Sequence, residues 1–149
     1  MDRCRVSARA VTQDGTLYSK SILRHINTMT ILSIDHVQLA MPVGEEDLAR
    51  AFYVGVLGFT EVPKPPDLAK RGGAWFEAHP VKLHLGVELD FHPARKAHPA
   101  FLVDDLDVMI ARVEQAHCQT DTTQPPLDGY KRAHVFDPFG NRIELMEKL

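Results

Sequence analysis

One pattern recurs along this chain and limits what it can fold into. Phe76 and His84 stand eight residues apart, and Phe136 and Glu144 repeat that spacing 60 positions later. His36 and His98 open the two stretches and lie 62 positions apart. A near-constant offset of this kind is the mark of two copies of one supersecondary unit. The hydrophobic periods agree. The first stretch predicts a strand over 31–41, bounded by Pro42 and Gly44, then a helix over 45–57. In that helix Leu48, Phe52, Val56 and Leu57 fall at helical spacing, and Gly58 ends it. A strand over 59–62, a loop over 63–71 broken by Pro63, Pro65 and Pro66, and strands over 73–78 and 81–87 joined at His79-Pro80 complete the half.

The same order then repeats. A strand over 99–103 leads to a helix over 104–116, with Asp104 or Asp105 as N-cap and Leu106, Met109, Ile110 and Val113 on one face. A weak strand over 119–123, a loop over 124–129 and strands over 131–137 and 141–146 follow, the last two joined by Pro138-Phe139-Gly140. The expected fold is α+β: two pseudo-repeated βαβββ modules, about 31–90 and 97–149, forming one cupped mixed sheet with helices on its convex face.

Composition sets the outer bounds. The 149 residues suit one compact domain, and 44% hydrophobic with 25% charged is enough apolar material for a core. A net charge of -3 and scattered basic residues argue against nucleic-acid binding. No apolar run approaches the roughly 18–20 residues of a membrane span. Cys4 and Cys118 form no spaced motif, so a reducing, cytoplasmic setting is expected. Residues 1–29 differ from the rest. They carry Arg3, Arg5, Arg9, Lys20 and Arg24 against Asp2 and Asp14, with no hydrophobic period. They read as a flexible extension, or as a start assigned too early with Met29 the natural beginning, in preference to an organelle-targeting segment.

Strand alternation sorts the side chains. Val37, Leu39 and Met41 oppose His36, Gln38 and Ala40, while Leu83, Leu85 and Val87 oppose Lys82, His84 and Gly86. Phe101 and Val103 oppose His98, Ala100 and Leu102, while Ile143 and Leu145 oppose Arg142, Glu144 and Met146. The greasy faces pack under the helices. The other faces carry His36, His84, His98 and Glu144. Polar residues on a second face usually just meet water. Here two imidazoles and a carboxylate converging in one concavity would supply N and O ligands suited to Zn, Ni, Fe(II), Mn or Co, with open positions for substrate. There is no G-x-S-x-G elbow, P-loop or dinucleotide fingerprint.

Four segments carry a resemblance to a known family: Ile34-Asp35-His36-Val37-Gln38-Leu39, Phe52-Tyr53-Val54-Gly55-Val56-Leu57-Gly58-Phe59, His98-Pro99-Ala100-Phe101, and Phe136-Asp137-Pro138-Phe139-Gly140-Asn141-Arg142-Ile143-Glu144-Leu145. From about Ile31 onward the chain resembles the glyoxalase/bleomycin-resistance/dioxygenase (vicinal oxygen chelate) superfamily. The resemblance implies paired βαβββ modules, one divalent metal ion on His36, His98 and Glu144, and a homodimer that completes the cup. His84 departs from the glyoxalase I pattern, which places a second glutamate there. The expected activity is a metal-dependent, glyoxalase-like lyase or isomerase acting on a small oxygenated substrate. An Fe(II) extradiol-type dioxygenase and a non-catalytic drug-sequestering protein are the alternatives. Glu144 and His84 are the expected catalytic groups, and Gln38, Arg132 and His134 the expected substrate contacts. His79, His92 and His117 read as surface residues, Trp75 and Phe76 as core in preference to pocket wall.

Overall fold

A computed structural model of the chain describes residues 30–94 and 96–149. The expectations placed on residues 1–29 lie outside the described residues. Ile34–Leu149 forms a compact unit. Its elements run β1 (Val37–Met41), α1 (Glu46–Tyr53), β2 (Thr60–Val62), α2 (Pro66–Ala69), β3 (Trp75–Ala78) and β4 (Val81–Val87). The second half runs β5 (Ala100–Val103), α3 (Leu106–Gln115), β6 (Thr120–Asp121), β7 (Tyr130–Phe136) and β8 (Arg142–Lys148). The two βαβββ modules are therefore present. Among the described residues, no helix is long and apolar enough to cross a membrane.

Each module makes its own four-stranded mixed sheet, in the orders β1-β4-β3-β2 and β5-β8-β7-β6. The expected single cupped sheet is thus two sheets of identical topology, joined by packing rather than by strand pairing. In both, the first strand lies parallel to the last and the other neighbours are antiparallel.

Local chemistry explains the helices. Asp105 caps α3 by accepting from the Val108 amide at 2.9 Å. Glu46 and Asp47 sit in the first turn of α1, where carboxylates complement the helix dipole. The face that α1 buries is Ala49, Phe52 and Tyr53, whereas Leu48 is exposed. The expected face was therefore rotated by about one residue, because a buried alanine carries a weak hydrophobic signal. The loop expected over 63–71 contains one short helix, α2, begun by Pro65 and Pro66, whose fixed φ suits a helix start. The strand expected from residue 31 begins at Val37, and Ile31, Leu32 and Ile34 are exposed.

One apolar cluster spans both modules. Phe52, Tyr53, Phe76, Leu83 and Leu85 come from the first, and Phe101, Val113, Val135, Ile143 and Leu145 from the second. The Phe59 and Phe101 rings meet edge-on at 5.8 Å across the junction. A polar link reinforces that contact. The Tyr53 hydroxyl donates to Asp137 Oδ2 at 2.8 Å, and Asn141 Nδ2 donates both to Asp137 Oδ2 and to the Ala40 carbonyl at 2.8 Å. A helix and a strand of the first module are thereby tied to the β7–β8 turn of the second.

Gly73 brings β3 into register with β4. Its φ is +77°, and a Cβ there would stand 2.1 Å from the Leu85 carbonyl oxygen. Its amide donates to Glu46 Oε1 at 2.8 Å, so the turn is also pinned to α1. Gly73→Ala is expected to cost at least about 2 kcal/mol. Urea denaturation measures this; an unchanged midpoint would show that the backbone relaxes there freely.

Candidate metal centre

The strand registers group the functional side chains in two clusters, one per sheet. In the first sheet, His84 lies opposite both Gln38 and Trp75. Its ring stacks on Trp75 at 4.0 Å with an interplanar angle of 6°, and on His36 at 4.1 Å and 25°. Asp35 Oδ1 lies 3.0 Å from His36 Nδ1, and Lys82 Nζ donates to Asp35 Oδ2 at 3.0 Å. Burial, then the neighbouring His36 ring, lowers the His84 pKa, so this imidazole is neutral near pH 7. A cleft of about 430 Å³ opens over the group, lined by His36, Gln38, Leu68, Trp75 and His84.

In the second sheet, Glu144 lies opposite both Ala100 and His134. His98, just before β5, places Nε2 3.2 Å from Glu144 Oε2 and Nδ1 2.8 Å from the Lys96 carbonyl oxygen. With its proton on Nδ1, His98 turns the Nε2 lone pair toward a carboxylate oxygen; with the proton on Nε2, the ring donates to Glu144 and Nδ1 accepts from Arg142. The first tautomer sets two acceptors face to face, an arrangement that suits a cation between them. Arg132 Nη1 donates to Glu144 Oε1 at 2.9 Å, while its Nε and Nη2 donate to the Pro125 carbonyl at 3.1 and 2.9 Å. Arg142 donates to the Lys96 carbonyl and brings Nη2 within 3.0 Å of His98 Nδ1. Burial pushes the Glu144 pKa up, but the Arg132 guanidinium and the close contact with His98 outweigh it and the net shift is downward. The carboxylate is therefore ionised at neutral pH.

His134 is buried, and neither ring nitrogen has a hydrogen-bond partner. Its ring meets that of His98 edge-on at 4.9 Å. Burial, then the nearby Arg142 guanidinium and the His98 ring, lowers its pKa. One ligand atom each from His98, His134 and Glu144 lie within 4.8 Å of one another. Two imidazoles and an ionised carboxylate form a donor set for a borderline divalent ion, and the orphaned His134 nitrogens fit such an ion directly.

Of the residues singled out in the sequence, His98, Glu144, His134 and Arg132 therefore come together in the second sheet. His36, His84 and Gln38 stand together in the first. His36 is not part of the cluster around Glu144. A cleft of about 640 Å³ runs between β1 and the start of β5, with Gln38 on one wall and His98 on the other. Trp75, read as core, is half-buried and is a wall of the His84 cleft, while Phe76 is core. Sequence reasoning missed Arg142, whose place on the Glu144 face was visible, and Asp137, which was read only as the end of a strand.

The residue offset also needs one correction. Trp75 faces His84 as His134 faces Glu144, so β3 and β7 match at 59 residues, and the counterpart of Phe76 is Val135 rather than Phe136. The cause is loop length. Ala78 pairs with Val81 across a two-residue turn, whereas Phe136 pairs with Arg142 across 137–141.

Comparison with known proteins agrees with this architecture. The sequence profile described as Glyoxalase/Bleomycin resistance protein/Dioxygenase superfamily matches residues 33–145. No curated protein matches the chain. Among solved structures, a glyoxalase family protein from Bacillus anthracis shares 46% identity with a TM-score of 0.73, over 81% of this chain and 98% of that one. The fosfomycin resistance protein FosX from Listeria monocytogenes shares 14% identity, TM-score 0.65, over 80% and 96%. TnmS3, an antibiotic binding protein from Streptomyces sp. CB03234, shares 22% identity, TM-score 0.62, over 81% and 99%. The last two show likeness of fold alone. Paired modules of identical topology, a profile match over most of the chain and a relative at 46% identity lead to one assignment: this chain belongs to the Glyoxalase/Bleomycin resistance protein/Dioxygenase superfamily.

Proposed function

We propose that the chain is a metal-dependent enzyme of this superfamily, glyoxalase-like, acting on a small oxygenated substrate. One divalent ion is held by His98 and Glu144 and completed by His36 of a second copy in a homodimer. The observation that supports this reading most is the His98 Nε2–Glu144 Oε2 approach of 3.2 Å, beside a buried imidazole with no partner. Bound there, Zn, Ni, Fe(II), Mn or Co supplies Lewis acidity to adjacent oxygens of a substrate.

The chain's own residues divide the remaining work. Arg132 keeps Glu144 ionised and aimed, and is occupied by that task rather than free to clamp an anion. Arg142 and the Lys96 carbonyl orient His98. His84, neutral and open to a cleft, accepts or returns a proton in the place where the glyoxalase I pattern has a carboxylate. Gln38, exposed on the cleft wall, offers an amide to orient the substrate. Support for a second copy comes from Leu102, 69% exposed on the face that carries Glu144, and Ile34, 81% exposed beside the cleft.

Metal content measured by elemental mass spectrometry tests the proposal. Wild type is expected to retain about one ion per chain, and His98→Ala to lose it. A wild type that takes up no ion after dialysis against each candidate metal would sink the reading and favour ligand sequestration.

A further inference from the structure

We infer that His134 is itself a metal ligand, so that His98, His134 and Glu144 of one chain grip the ion together before a second copy adds His36. The inference rests on the metal-dependent reading above and assigns that site an additional ligand.

Three observations carry it. First, the β7–β8 register sets His134 directly opposite Glu144, so both side chains leave the sheet on the same face. Second, ligand atoms of the three residues gather within 4.8 Å, the one such group of three among the described residues. Two ligands about 2.1 Å from one ion, at right-angle or tetrahedral spacing, stand roughly 3.0–3.4 Å apart, and His98 Nε2 and Glu144 Oε2 are at 3.2 Å. Third, His134 is 5% exposed with both nitrogens unpartnered. A buried imidazole normally finds a hydrogen-bond partner, because leaving it without one forfeits its hydration for nothing. Among the neighbouring polar groups, Arg142 Nε, a donor on a cation, is also buried without a partner and makes no hydrogen bond to His134. Arg132 is spent on Glu144 and Pro125, and Arg142 Nη2 on Lys96 and His98. An ion between the three residues gives His134 the partner it lacks.

The proposal also bears on what the site accepts. With His36 added, four protein ligands would hold the ion, and substrate oxygens would complete its coordination. Those oxygens would lie near the positive charges of Arg132 and Arg142, an environment that favours an ionised donor such as an enediolate or hydroxamate over a neutral diol.

Binding of Co(II) and Zn(II) to the full chain tests the assignment without any turnover assay. His134→Gln is expected to bind Co(II) at least about tenfold more weakly than wild type, by chelator competition, while His117→Gln, at an exposed surface histidine, binds normally. In wild type labelled with ¹⁵N-histidine, a ring nitrogen of His134 is expected to shift on adding Zn(II), together with that of His98. If His134→Gln fails to fold, the wild-type ring shifts decide alone. Unmoved His134 nitrogens, with His98→Ala having lost the ion, would overturn the inference and leave the metal reading standing. A wild type that binds neither ion would overturn both.

Discussion

Replacing Asp137 by alanine is expected to cost about 3–5 kcal/mol of stability, measured by urea denaturation. The carboxylate is 4% exposed and accepts four hydrogen bonds. Oδ1 takes the Phe139 amide at 3.0 Å and the Asn141 amide at 2.8 Å, and Oδ2 takes the Tyr53 hydroxyl and Asn141 Nδ2, each at 2.8 Å. Alanine strands these buried donors, and each costs about 1–3 kcal/mol if it finds no water. It also cuts the polar tie between modules, since Asn141 would no longer be held while it donates to Ala40. Tyr53→Phe removes one of the four bonds and is expected to cost about 1 kcal/mol.

The same residue sets a pH dependence. Burial raises the Asp137 pKa above its ordinary value, and the bonds from Asn141 and Tyr53 offset this only in part. A carboxyl whose folded pKa is raised binds its proton more tightly in the native state. Its contribution to stability is full below the unfolded pKa near 3.8 and is lost as pH rises through the folded value. The advantage of wild type over Asp137→Asn is therefore expected to be greatest in acid and to shrink toward neutrality. An advantage that grows with pH would show that the ionised form is the better bound one.

Glu144→Ala is expected to lower metal affinity roughly 100-fold or more and to abolish turnover, with the fold retained. Glu144 is the one carboxylate in the cluster, and it alone brings negative charge among His98, His134, Arg132 and Arg142. Without it, two guanidinium groups face the site uncompensated and a cation is repelled. Arg132 keeps the Pro125 carbonyl, so the loop it ties down need not come loose. Metal content and small-ligand binding should be measured on one preparation. Loss of metal and turnover together agrees with catalysis. Ligand binding that persists unchanged in metal-free Glu144→Ala would instead point to a sequestering protein.

Alternation, helix period and the doubled residue pattern determined the two βαβββ modules, the apolar faces and the emergence of His98 and Glu144 on one side of a sheet. These are local properties. A side chain's face follows from its parity along a strand, and a cap from its distance to the first amides of its helix. What only the tertiary structure decided is who meets whom. His134 faces Glu144 because the 137–141 loop sets the antiparallel register there, while a two-residue turn sets Trp75 against His84. One residue more or less would turn either side chain to the opposite face. His36 stacks on His84 rather than joining His98 because each module closes its own sheet. Asp137, read in the sequence as the last residue of a strand before the Pro-Phe-Gly turn, carries the junction between modules because Tyr53 approaches it from 84 positions earlier in the chain. No periodicity within either segment encodes that approach, since it exists only once both cores have packed.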